Sequence, residues 1–320
     1  MDVSICIVNW NTRELLRACL RSIASCTEGI DYEVIVVDNE SSDGSAAMVG
    51  QQFPQVKLVA AGANLGFARG SNLAARHATG DFVLYLNPDT ELVTNAVAGM
   101  WQFLQRDPAS GAVGCRILNS DGSIQLTCAS AFPSPRNELS SMLLLDRVFP
   151  SSRLFSAREL GYWDHEDSRV VDCLSGACMM VRRELVEQLG GFDEQLFMYG
   201  EDLDLCCRLG RLQLQLYYLA TEVIYHHEGA ASRKKGRSFA PLFQRASNYY
   251  FLRKNFGPVR ALAYRGAVSI GAGARLVVGA ASLPLWVWRR SENSPRARDF
   301  MARHGDLLLW SLGLRGTPAR

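Results

Sequence analysis

Asp38, Asp89, Asp202 and the His226–His227 pair sit where side chains can do chemistry. Each lies at the end of an apolar run or at the start of an amphipathic one. Asp38 closes EVIVVD (33–38) and precedes Asn39-Glu40-Ser41-Ser42-Asp43-Gly44. A carboxylate there can accept hydrogen bonds from a base N–H or a ribose hydroxyl; the alternative is a helix cap or turn residue. Asp89, in Asn87-Pro88-Asp89-Thr90, is held on a short rigid turn, which suits a divalent cation bridging a diphosphate; the alternative is a helix-capping Asp. The chain has neither a P-loop pattern nor a Gly-x-Gly-x-x-Gly turn after its first strand. Phosphate charge must therefore be met another way, and a metal is the natural substitute. Asp202 opens the amphipathic stretch Glu201-Asp202-Leu203-Asp204-Leu205. A helix N-terminus favours an ionised carboxylate, as a general base needs, but an acidic first turn that only satisfies the helix dipole reads the same way. His226 and His227 end an apolar strand, where a neutral imidazole could complete a metal site or serve structure alone.

The elements that must position these groups follow from hydrophobic periodicity. VSICIVN (3–9) is a continuous apolar run of strand length, and Leu15, Leu16, Cys19, Leu20 and Ile23 then recur at helical spacing, with Thr12 as N-cap. EVIVVD, VKLVA (56–60) and DFVLYLN (81–87) read as further buried strands, separated by helices over 43–53 and 66–79 and followed by one to about Arg106. Strands apolar on both faces, alternating with helices, imply an α/β fold with a mostly parallel sheet flanked by helices. In such sheets ligands bind beyond the carboxyl ends of the strands, which selects Asn9, Asp38 and Asn87–Asp89 as one edge. Residues 119–170 are rich in Ser, Pro and Arg and read as an excursion over the active-site face. Order returns at 170–185, at the helix after Glu201, and at two closing strands, 214–219 and 222–227.

With 320 residues, 48% of them hydrophobic, the chain has room for one large α/β domain and an appendage and is no disordered polymer. Its nine cysteines, odd in number and without metal-type spacing, read as reduced core residues. Met1 and Asp2 run straight into the first strand without a signal-peptide pattern, so a cytoplasmic location is expected. A net charge of +2 hides an asymmetry: residues 233–320 carry 17 Lys and Arg against Glu292, Asp299 and Asp306, a net of +14, and the remainder is at −12. The tail is helical in pattern, broken at Gly257–Pro258 and at Pro284. Its stretch between Arg265 and Arg289 is apolar but interrupted by Arg275, and Leu276–Trp288 is too short to span a bilayer. Trp286 and Trp288 beside Arg289 and Arg290 resemble interfacial anchors, so a tail lying on the inner face of an anionic membrane is expected. The alternative is a helical hairpin packed on the enzyme or a partner. Nucleic acid is disfavoured because no recognised binding module accompanies the charge.

VSICIVNWNTRELLRACLRSI, EVIVVDNESSDGS, NLGFARGSN, GDFVLYLNPDTEL, LSGACMMVRRELVEQLGGFDEQLFMYGEDLDLCCRL and VIYHHEGAAS occur in one order over residues 2–232. That ordered set resembles family 2 glycosyltransferases, specifically the bacterial rhamnosyltransferase-like group. The resemblance implies a GT-A fold over 1–232, with a nucleotide-binding half (1–118), an acceptor half (119–232) and a separate tail (233–320). It places Asn9 beside the nucleotide, Asp38 on the base or ribose, and Gly66, Phe67 and Asn72 in the donor pocket. Asp89 stands for the last acid of the family's Asp-x-Asp metal motif; its first acid is Asn87 here, which leaves one carboxylate and the donor's oxygens to hold Mg2+ or Mn2+. His227 fits the family's His-x-Gly-Gly-x-Ser ending better than His226 does. Gly176 would let backbone approach the ligands closely. Asp202 matches the catalytic base, with Glu201 supporting the acceptor side. The implied activity is inverting, metal-dependent transfer of a hexose. The expected donor is dTDP-L-rhamnose, and the acceptor a saccharide or lipid-linked saccharide in cell-surface polysaccharide synthesis. A UDP- or GDP-sugar donor, a non-catalytic saccharide-binding scaffold, and a homodimer stay open.

Overall fold

A computed structural model describes residues 1–227, 239–288 and 294–316. The family-like ending after His227, from Glu228 to Ser232, and the Arg289–Arg290 pair lie outside the described residues.

The first strand, β1 (Val3–Asn9), is buried at every position, as its unbroken apolar run requires. It pairs in parallel with β2 (Tyr32–Asp38) on one side and β4 (Phe82–Leu86) on the other, and β2 pairs in parallel with β3 (Lys57–Ala60). Between them run α1 (Arg13–Cys26), which buries Leu16, Cys19, Leu20 and Ile23, then α2 (Ser45–Gln52) and α3 (Gly66–Arg76). Thr12 precedes α1, but its hydroxyl donates to Asn9 Oδ1 instead of capping the helix. The cap comes from Asp43, whose Oδ2 accepts from the Arg13 N–H at 2.9 Å while Oδ1 accepts from the Ser45 N–H at the start of α2. One carboxylate thus pins two helix starts, a long-range solution that the local pattern around Thr12 does not reveal.

Beyond β4 the parallel run ends. A short β5 (Thr90–Leu92), α4 (Ala96–Arg106) and β6 (Ser110–Leu118) follow, then β7 (Ala129–Ser130), α5 (Pro135–Met142) and α6 (Leu145–Val148). Next come β8 (Arg169–Val171), β9 (Cys173–Leu174), β10 (Cys178–Arg182), α7 (Arg183–Leu189), α8 (Glu201–Arg211) and β11 (Gln215–His226). Among the described residues the main sheet has nine strands in the order β3-β2-β1-β4-β10-β6-β11-β5, with β8 on β11. β10 lies antiparallel between β4 and β6, so its first residues fall at the edge where β4 ends. The two closing strands expected over 214–227 are one strand, β11, with an irregularity between Leu219 and Val223. Ala220 and Thr221, the gap between the two expected strands, are absorbed there, because a bulge accommodates extra residues without ending the pairing.

The chain divides into two compact units, Met1–Ala131 with Asp164–Ala231, and Phe132–Trp163 with Ser232–Arg320. Residues 132–163, expected within the acceptor half, are therefore grouped with the tail. In this second unit the tail forms α9 (Phe239–Phe256), α10 (Pro258–Trp288) and α11 (Ser294–Ser311). The break at Gly257–Pro258 is present, but α10 runs on through Pro284. Glu138 on α5 explains the grouping: its carboxylate receives Arg245 of α9 at 2.7 Å and the Tyr264 hydroxyl of α10 at 2.8 Å. No helix among the described residues is long and apolar enough to cross a membrane. All nine cysteines are free thiols and eight of them are buried.

Candidate active site

The carboxyl ends of β1, β2 and β4 share one edge of the sheet, and the register sets Asn9 opposite Asp38. Both are buried. Asn9 Nδ2 donates to Asp38 Oδ1 (3.1 Å) and to Ser41 Oγ (3.0 Å), and its Oδ1 accepts from Thr12. Asp38 Oδ2 accepts from the Ser41 N–H (3.0 Å). Asn9 therefore orients Asp38 and has its own amide committed to the protein, whereas a carboxylate with two such bonds keeps acceptor capacity for a ligand. Asp43, half-buried, anchors the same loop. Burial would raise its pKa, but hydrogen bonds from Ser45 and the Arg13 N–H outweigh that and hold it below the usual range.

From Asp38 the site continues through the next residue. Asn39 Nδ2 donates to the Gly66 carbonyl (3.1 Å), while its buried Oδ1 has no hydrogen-bond partner among the described residues. Gly66 has φ +78°, and a β-carbon there would stand 2.5 Å from the Phe197 ring and 2.6 Å from the Phe197 carbonyl. Only glycine tolerates both the left-handed backbone and that approach. The Phe67 N–H donates to the same Phe197 carbonyl at 3.0 Å. Asn72, expected in the donor pocket, has its amide engaged elsewhere: it donates to the Phe192 carbonyl (2.9 Å) and accepts from the Phe192 N–H (2.8 Å). It fastens α3 to the loop that leads into α8.

That loop is fastened from its other side by an ion pair that the functional reading of the sequence overlooked. Asp204, fully buried, receives Arg208 Nε at 2.7 Å, and Arg208 also donates to the carbonyls of Leu189 (2.9 Å) and Gly191 (2.7 Å). The i, i+4 spacing of opposite charges is visible in the sequence, but its burial is not.

Gly176 brings the last carboxylate in. Its N–H donates to Asp202 Oδ2 at 3.2 Å, and a β-carbon on it would stand 3.4 Å from Asp202 Cβ and 3.6 Å from Phe67 Cε1. The neighbouring Ala177 carbonyl accepts from the Asn87 N–H at 2.9 Å. A continuous run of contacts thus joins Asp38, Asn39, Gly66, Phe67, Gly176 and Asp202, and links Gly176–Ala177 to Asn87. Beside Asp202, Glu201 is buried with its Oε2 unpartnered among the described residues. Burial first, and the adjacent Asp202 charge second, push its pKa up to about 8, so at neutral pH it carries a proton. Burial likewise lifts the thiols of Cys19 and Cys206 to about 12, which disqualifies them as nucleophiles.

The two histidines part company. His226 is buried, its Nδ1 lies 2.8 Å from Gln125 Oε1, and its Nε2 is 3.2 Å from both Asp89 Oδ1 and Asn87 Nδ2. Gln125 donates its own Nε2 to Asn119 Oδ1, which leaves Oε1 as the atom facing His226 and makes Nδ1 the donor. In the neutral ring Nε2 is then a lone pair beside the Asp89 carboxylate. His227 instead bridges Ser120 Oγ (2.7 Å) and Glu91 Oε1 (2.9 Å), and only its backbone N–H reaches Asp89, at the carbonyl (2.8 Å). The structure therefore sets His226, not His227, against the Asp89 side chain. The reason is the register of β11 on β5, which places His226 opposite Thr90. Two lone-pair donors facing each other, one a hard carboxylate oxygen, fit a divalent cation. Among the described residues no group of three or more His, Cys, Asp or Glu side chains is arranged to hold one unaided. A cation here would draw its other ligands from water or a bound ligand.

Comparison with known proteins is consistent across sequence and structure. Residues 4–190 match the family model described as glycosyl transferase family 2. The chain is 31% identical over 263 residues to an N-acetylglucosaminyl-diphospho-decaprenol L-rhamnosyltransferase of Mycobacterium tuberculosis, covering 74% of this chain and 79% of that protein. It is 24% identical over 234 residues to the rhamnosyltransferase WbbL of Escherichia coli, covering 70% of this chain and 83% of that one. The mannosyltransferase PcManGT of Pyrobaculum calidifontis, solved in complex with GDP-Man and Mn2+, shares the fold with a TM-score of 0.53 at 19% identity, over 97% of this chain and 86% of that chain.

Proposed function

This chain belongs to glycosyl transferase family 2 and has the GT-A fold, and on that premise we propose an inverting, metal-dependent transfer of L-rhamnose from dTDP-L-rhamnose to a saccharide or lipid-linked acceptor in cell-surface polysaccharide synthesis. The observation that carries the reading is the run of contacts from Asp38 through Gly66–Phe67 and Gly176 to Asp202, with Asn87 bound to Ala177. It supports one site in which Asp38 takes the nucleotide, Asp89, two residues from Asn87, takes the cation, and Asp202 on α8 takes the acceptor. The choice of sugar rests on the two rhamnosyltransferases among the relatives, one of which is named for a lipid-linked acceptor.

Asp38, oriented by Asn9 and Ser41, receives the base or ribose. Asp89 and His226 are the residues that would hold Mg2+ or Mn2+. When bound, the cation neutralises the diphosphate as it leaves. Asp202 sits at the start of α8, where the helix dipole favours a carboxylate charge, and the Gly176 N–H holds it in place. It accepts the proton of the acceptor hydroxyl as that oxygen attacks the anomeric carbon opposite the diphosphate. A neutral Glu201 supports the acceptor side without adding a second charge. The net positive charge of the tail supports a location at the inner face of the cell membrane.

Labelled nucleotide sugars with Asp202→Asn provide the test. General-base assistance is worth about 10²–10⁴-fold, so the variant should lose turnover by that factor while donor binding is retained. Turnover near wild type removes the assigned base. Turnover with UDP- or GDP-sugars and none with dTDP-rhamnose keeps the enzyme class and changes the donor.

A further inference from the structure

α10 carries its polarity on the inside. Arg265 donates to the Trp310 carbonyl at 2.6 Å and lies over the Tyr249 and Trp310 rings. Arg275 donates to the carbonyls of Ser141 and Met142 at the end of α5, where a cation complements the negative helix terminus. Gly271 faces Met142 and Gly279 faces Phe300 and Met301, so the inner face is closely packed within its unit. The outer face is apolar and open: Val259 is 80% exposed, Leu262 58%, Ile270 62% and Val277 70%. At 100° per residue these four, with Gly266 and Gly273 between them, fall within one narrow stripe. Neither of those glycines has anything within 4 Å of its β-position, so among the described residues the stripe is an uncovered ridge about 27 Å long. Contiguous apolar surface of this kind marks an interaction site.

Charge decides the occupant. Residues 233–320 have a net charge of +14, and Arg253, Lys254 and Arg260 are exposed near the start of the ridge. Pairing two copies through this face would bring like charges together, whereas an anionic bilayer attracts them. An apolar stripe flanked by basic residues is also how a helix lies in a membrane interface instead of crossing it. We propose that the outer face of α10 is the surface by which this protein rests on an anionic lipid bilayer, with Val259, Leu262, Ile270 and Val277 entering the acyl boundary. This rests on the reading of the tail as membrane-facing and names the face that serves it.

Deleting the tail would be a poor test, because Phe251, Ala261, Tyr264 and Val268 form part of the core of their unit. Instead, full-length protein is floated with vesicles of phosphatidylcholine alone or mixed with phosphatidylglycerol. The pair Ile270→Glu/Val277→Glu is compared with wild type and with Arg253→Gln/Lys254→Gln/Arg260→Gln. Wild type should float with the anionic vesicles only. The double Glu variant should bind about tenfold more weakly or worse, with its melting temperature and its solution donor hydrolysis unchanged. The Gln variant should lose the dependence on phosphatidylglycerol. Absence of wild-type binding overturns the membrane reading itself. Wild-type binding that the double Glu variant retains overturns the assignment of this face. A wild-type dimer by sedimentation that the double Glu variant dissolves, with vesicle binding unaffected, makes the ridge a contact between copies and overturns the proposal.

Discussion

Glu201 allows a quantitative test of the acceptor-side electrostatics. Its carboxyl is buried, with Oε2 unpartnered among the described residues; burial first and the Asp202 charge second lift its pKa from an ordinary 4.5 to about 8. Below pH 4.5 the folded and unfolded chains both carry this proton. Between 4.5 and about 8 the folded chain keeps a proton that the unfolded chain has released, so stability falls as pH rises; above 8 the loss is complete. At about 1.4 kcal/mol per pH unit, that interval sets a ceiling of about 5 kcal/mol on the loss. Glu201→Gln keeps the shape and cannot ionise. It introduces a buried amide whose unmet hydrogen bonds cost about 1–3 kcal/mol at every pH. Urea unfolding of wild type and variant from pH 5 to 9 should therefore show wild type ahead at pH 5, converging curves as pH rises, and the variant level with or ahead of wild type at pH 9. Parallel curves would mean that Glu201 is ionised in the fold at neutral pH, and the picture of a neutral acid beside the base would be wrong.

Gly66→Ala should lower stability by about 2–4 kcal/mol, the sum of left-handed strain and the collision with Phe197, measured by denaturant unfolding; a loss under 0.5 kcal/mol would show that Phe197 yields freely. Arg208→Met leaves the Asp204 charge buried and releases the carbonyls of Leu189 and Gly191, so a loss of about 3–5 kcal/mol is expected. A neutral outcome in calorimetry would show that Asp204 finds another partner. His226→Ala should abolish the effect of Mn2+ on the thermal shift given by dTDP, and His227→Ala should leave it in place. The reverse result returns the metal role to His227.

The sequence by itself determined the strands of the nucleotide half, because runs such as VSICIVN and EVIVVD have no option but burial on both faces. With them came the edge bearing Asn9, Asp38 and Asn87–Asp89, since parallel strands point their carboxyl ends to the same side of the sheet. The helix that offers Asp202 was equally plain from its own periodicity. Long-range pairing decided the rest. β10, inserted antiparallel between β4 and β6, carries Gly176 and Ala177 to that edge, and nothing local in LSGACMMV states which strands it will join. Asn72 and Arg208 turned out to hold a loop, because their partners are backbone carbonyls distant in sequence or across a turn. The choice between His226 and His227 is a matter of parity: adjacent residues on a strand face opposite ways, and only the register of β11 on β5 says which meets Asp89. Residues 132–163 joined the tail for the same kind of reason, a half-buried Glu138 whose partners, Arg245 and Tyr264, lie more than a hundred residues away. Periodicity records which residues must be buried; it does not record against what.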